Sequence, residues 1–119
     1  MTKKKDTHYF GIIEKKFNRA QRFAVLLIKK YPRIKASIDS GLAVDGRDKK
    51  LYDVISAVIF KTKFLPNGYD RLEQIDRRYW KNEQITVKDY ANEKVVDTKT
   101  AMIWLYDFID AVVADMEIV

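Results

Sequence analysis

The sequence has no cysteine, one histidine, four glycines and two prolines in 119 residues. Without thiols there are no disulfides, no thiolate zinc sites and no cysteine nucleophiles. The lone His8 excludes any histidine cluster. So few glycines and prolines leave little scope for a turn-rich all-β fold. No apolar run reaches the ~18 residues that a membrane span needs. The opening MTKKKDTHYF lacks the apolar stretch of a secretory signal, so a cytoplasmic location is expected. Catalysis also lacks its parts. Asp107 and Asp110 lie one helical turn apart, but no base, metal-ligand set or glycine-rich phosphate loop accompanies them, and they read as a solvated acidic stripe. Ser37, Ser40 and Ser56 have no histidine close by. No enzyme, cofactor or metal is expected.

An apolar fraction of 47% is enough for a real core and argues against general disorder. The length fits one helical domain, residues 1–119. The net charge is +6, and it is unevenly placed. Residues 1–50 carry 14 Lys and Arg against 5 Asp and Glu, whereas residues 51–119 carry 9 against 12. The surplus concentrates between Lys3 and Lys35. Such asymmetry points to a polyanion met by the N-terminal region. Basic residues that merely solvate an amphipathic helix give the same statistics.

Periodicity predicts helices throughout. The first spans about Thr7–Lys30, with Ile13, Phe17, Ala20, Ala24, Leu27 and Tyr31 on one face and Lys15, Arg19 and Arg22 on another. Asp6 or Thr7 can cap it. Tyr31-Pro32 should break it, because proline lacks an amide and disfavours α geometry before it. A second helix, Pro32–Ser40, should end at Gly41 in a left-handed cap. Residues 41–48 read as a loop. A third helix follows over about Asp48–Lys63, although VISAVIF alone also fits a buried strand. Pro66-Asn67-Gly68 is a turn. A fourth helix should begin at Asp70, with Glu73 completing an acidic capping box.

From here the pattern becomes specific. Thr86 can cap a short helix whose Val87, Tyr90 and Ala91 point inward. Val96 should plug the following turn. Asp97 can cap a long helix, Thr98 to about Glu117, whose Ala101 packs back against Ala91. A short helix, a tight connector and a long helix are helix-turn-helix grammar, placed here at residues 69–117. Tyr79, Trp80, Ala91, Val96, Ala101, Trp104, Leu105 and Phe108 should share one core. The last helix is apolar on almost every side from Ala101 onward, which suggests self-association through residues 98–117 as a dimer or higher oligomer. The alternative is that the other helices wrap it. After Lys99 it carries Asp107, Asp110, Asp115 and Glu117 with no compensating base.

The stretch IDRRYWKNEQITVKDYANEKVVDTKTAMIWLYDFI resembles the C-terminal half of the RinA/ArpU-like phage transcriptional regulators, which carry an I-D-x-R-Y-[FW] helix before a sigma region 4-like helix-turn-helix. KKYPRIKASIDSG resembles the family's Y-P-x-[IL]-K-x-x-I segment, and LYDVISAVIF its central helix. The resemblance covers Tyr31–Ala114. It departs at Val95, where such turns usually carry glycine; a valine there is strained if φ is positive. The resemblance implies control of phage genes in the cytoplasm of a bacterial host.

The expected protein is thus all-α, with about six helices and a C-terminal helix-turn-helix, and its expected partner is double-stranded DNA. Lys3, Lys4, Lys5, Lys15, Arg19 and Arg22 would meet phosphates, joined by Thr86 at a helix N-terminus. Thr98, Lys99 and Met102 would approach base edges, in line with Ile103 and Tyr106. The alternative is a protein-interaction module of the same fold, with a degenerate helix-turn-helix, that self-associates or binds a host protein such as RNA polymerase.

Overall fold

In the computed structural model, which describes residues 13–118, the chain turns at Lys15–Lys16 before its first long helix. That helix, α1 (Arg19–Asp39), starts from a capping box. The Asn18 side chain accepts from the Gln21 amide at 2.8 Å, and the Gln21 side chain accepts from the Asn18 amide at 2.9 Å. The predicted Thr7–Lys30 helix is therefore interrupted here; its expected caps, Asp6 and Thr7, lie outside the described residues.

The expected break at Tyr31-Pro32 does not occur, and α1 runs through Pro32. Pro32 has no amide to offer the Ile28 carbonyl one turn back. The Trp80 indole Nε1 supplies it instead, donating to the Ile28 carbonyl at 2.8 Å. Burial of Tyr31 and Ile34 on either side holds this turn against the core. The Tyr31 ring stacks on Tyr52, and its hydroxyl meets Ser56 Oγ at 2.9 Å. At the other end Gly41 takes φ +77°. The Gly41 amide donates to the Ile38 carbonyl and the Leu42 amide to the Ser37 carbonyl, which is the Schellman pattern and the left-handed stop expected of Gly41.

Helix α2 (Gly46–Lys63) starts two residues before the predicted Asp48, because Asp45 is the cap and accepts from the Asp48 amide at 2.8 Å. The VISAVIF run is helical, with Ile55 and Val58 buried. Helix α3 (Gly68–Ile75) also begins early. Asn67 takes φ 60°, and a Cβ on Gly68 would lie 2.6 Å from the Thr62 and Lys63 carbonyls, so only glycine lets α3 start this close to the end of α2. The expected Asp70–Glu73 capping box is not formed. Asp70 sits in the first turn, and Glu73 is turned toward Tyr90 and Lys94.

Helix α3 runs directly into a π-helical turn, Asp76–Trp80, in which the Lys81 amide donates to the Asp76 carbonyl five residues back. Helix α4 (Val87–Lys94) begins as predicted, with Thr86 Oγ1 accepting from the Asp89 amide at 2.9 Å. Helix α5 (Thr98–Met116) follows after three residues. Asp97 occupies its N-cap, but its carboxylate makes no capping bond, contrary to expectation.

The described residues thus form five α-helices and no strand. Helix α5 is the axis, packed against α1, α2, α3 and α4. Ala101, Trp104, Leu105, Phe108, Ile109 and Val112 are buried along it, while Met102, Tyr106, Ala111, Val113 and Met116 pack at the core margin. Ile103 is the one large apolar side chain of α5 left exposed, at 47%. Most of the apolar cover that suggested self-association through residues 98–117 is packed against the other helices, with Ile103 left open. The eight expected core residues all lie in this core or against it.

Candidate nucleic-acid interface

The N-termini of α4 and α5 open onto one pocket of about 400 Å³. Thr86 and Lys88 line it from α4, Thr98 and Met102 from α5, and Ile13 and Lys16 from the segment before α1. A three-residue connector joins the end of α4 to the start of α5. Ala91 and Ala101 are fully buried on the two helices, small enough for the backbones to approach. Val95 makes the turn at φ 57°, ψ 49°, so the left-handed geometry usually given to glycine is kept by a β-branched residue. Its amide bonds back to the Ala91 and Asn92 carbonyls.

Each expected contact residue has a definite place. Lys3, Lys4 and Lys5 lie outside the described residues. Lys15, Arg19 and Arg22 are exposed. Arg22 Nη2 donates to the Lys15 carbonyl at 3.4 Å, which holds the start of α1 beside the preceding turn. Thr86 is used as a cap, as described. Thr98 and Lys99 are exposed on the first turn of α5. Met102 is partly buried and lines the pocket together with Ile13 and Lys16. Tyr106 is likewise partly buried, edge-on to Phe17 with ring centroids 5.4 Å apart. Of the five aligned positions on α5, Thr98, Lys99 and Ile103 remain open.

Two cations were missed from sequence, Lys16 and Lys88, both exposed beside this pocket. The Asn18-x-x-Gln21 capping box was the signal for Lys16, since it marks the chain before Asn18 as a turn rather than one more helical face. Lys88 follows the Thr86 cap by two residues, in the first turn of α4.

Lys15, Lys16, Arg19, Arg22, Lys88 and Lys99 form no ion pair with a described residue; the nearby acids are Asp89 and Asp97. The acidic residues of α5 are placed differently. Arg71 reaches Asp107 at 3.0 Å, Lys61 reaches Asp115 at 3.4 Å, and Gln21 Nε2 donates to Asp110 at 2.9 Å. Two of these carboxylates thus gain a cation from α3 and α2, and Asp110 an uncharged amide donor from α1.

Behind the pocket lies a buried polar cluster. Arg78, 3% exposed, donates to both carboxylate oxygens of Glu14 at 3.0 and 3.1 Å and to the Ile85 carbonyl at 2.8 Å. The Tyr79 hydroxyl donates to the same carboxylate at 3.0 Å. Burial, reinforced by the Glu14 charge, raises the Tyr79 pKa far above the usual phenol range. The Tyr90 hydroxyl, raised likewise by burial and then by Glu73, donates to the Asp70 carbonyl at 2.6 Å. Arg77 binds Glu83 and Glu93. The IDRRYW residues are therefore consumed in holding α1, α3 and residues 13–17 together, and this fixes Lys16 beside α4.

Comparison with protein-family models, with curated proteins and with solved structures finds no match to this chain. No described helix is long and apolar enough to cross a membrane.

Proposed function

We propose that the chain is a DNA-binding transcriptional regulator of the RinA/ArpU-like phage type, with α4, the Val95 turn and α5 acting as its helix-turn-helix. The observation that supports this most is a corner where cations outnumber acids. Lys16, Lys88 and Lys99 surround two helix N-termini, and Lys15, Arg19 and Arg22 extend the same charge along α1, while the acids of α5 are engaged elsewhere. Cations with no acid partner among the described residues are what phosphate neutralisation uses, and helix N-termini add amide donors. Thr98 and Lys99 are the side chains offered to base edges.

Fluorescence anisotropy on labelled duplexes from the chain's own genomic neighbourhood tests the reading. Log affinity should fall linearly with log salt. Lys99→Ala should relax the preference at one position of the site, at about 1–3 kcal/mol. Absence of any sequence preference, together with an inert Lys99→Ala, favours the second reading: a protein-interaction module that docks on a host protein such as RNA polymerase. The partial burial of Met102, and of Tyr106 against Phe17, is the observation on its side, because it leaves fewer groups to read bases.

A further inference from the structure

On another side of the molecule, α2 and α3 enclose a groove of about 800 Å³ that opens into a second of about 540 Å³ beside Pro32. Ile59 and Trp80 line both, and Leu72 extends the first. The rings around it are exposed to a degree unusual for large apolar side chains: Phe60 by 61%, Phe64 by 75% and Tyr69 by 76%. Phe60 and Phe64 meet edge to face at 5.1 Å, so they stand as one ridge beside the groove.

We infer that a second copy of this chain docks here, its aromatic ridge entering this groove and this ridge entering its groove. The charges of the lining select that occupant. Lys63, Arg77 and Lys81 are matched by Glu73, Asp76 and Glu83 in the first part of the groove, and Lys35 in the second is paired with Asp39, so the surface is nearly neutral and can face itself about a two-fold axis. The cationic corner at α4 and α5 would instead set like charge against like charge. Arg77 and Lys81 are already bound to acids, whereas Lys63 has no acid partner among the described residues and is free to take one from the other copy. The three rings expose roughly 400 Å², about half of the ~800 Å² that each partner gives to a standard interface, with groove and rim to supply the rest. Ridge and groove lie side by side on one face, as an isologous contact requires.

This inference does not depend on DNA binding, and its test uses the full chain alone. Sedimentation velocity from about 1 to 200 µM should show the mass rising from 14.0 kDa toward twice that value, as micromolar self-association gives. Phe60→Glu and Tyr69→Glu should each weaken the dimer at least tenfold with unchanged far-ultraviolet circular dichroism, since both rings are mostly solvent-exposed. Phe64→Ser provides the same comparison should either variant misfold. Ile103→Glu, on α5, should leave the dimer intact. A 14.0 kDa species throughout overturns the inference and leaves the groove to a different protein. So does a dimer that the folded groove variants do not weaken.

Discussion

The two exposed faces of this molecule are built on opposite principles. The corner at the start of α4 and α5 carries more cations than acids, and its exposed lysines form no ion pair with a described residue. The α2–α3 groove is aromatic and charge-balanced, and most of its charged residues are already paired. The first acts at long range and responds to salt, while the second acts only at contact and responds to shape. One small fold keeps them apart by setting the π turn between them. Asp76, Arg77 and Trp80 of that turn face the groove, and Arg78 faces the cationic corner.

Arg78→Ala should blur this division most. It strands Glu14 in a partly buried site, and breaking such a pair costs about 3–5 kcal/mol. Urea denaturation should show the loss, and both faces should weaken together. Replacing Lys15, Arg19 and Arg22 with Ala should strike one face alone. The proposed DNA affinity should drop roughly hundredfold near physiological salt, with the salt slope flatter by about three, while the sedimentation profile stays unchanged.

A smaller effect is expected at the groove floor. Trp80→Phe removes the donor to the Ile28 carbonyl and should cost about 1–3 kcal/mol. Pro32→Ala in that background should recover part of the loss, because alanine restores the amide that proline lacks. A double-mutant cycle in thermal denaturation should therefore show coupling between positions 32 and 80. The smallest change should be a gain. Val95→Gly relieves a β-branched residue of positive φ and should stabilise by about 1 kcal/mol. Neither face should respond to it.

The sequence was most readable where the physics is local. The Thr86 cap, the left-handed stop at Gly41 and the inward faces of α4 and α5 each follow from residues within a turn or two of one another. The left-handed twist at Val95 was legible as a conflict between residue type and position. Reading failed where a distant group decides. Nothing near Pro32 says that an indole from the π turn will complete its hydrogen bond. Nothing near Met102 says that it will share a pocket with Ile13 and Lys16. For α5, the apolar pattern was legible, but not that four other helices would cover most of it and leave Ile103 exposed.

The bond from Trp80 to the Ile28 carbonyl also bears on the order in which the chain assembles. A peptide spanning α1 alone has no donor for that carbonyl, and its proline opposes the turn. The C-terminal half of α1 therefore gains full stability only when the π turn docks, late in contact order although early in sequence. During refolding, amide protons beyond Pro32 should become protected together with those of α3, and after those at the Asn18 end of the same helix. One continuous helix would then belong to two cooperative units, divided at its proline.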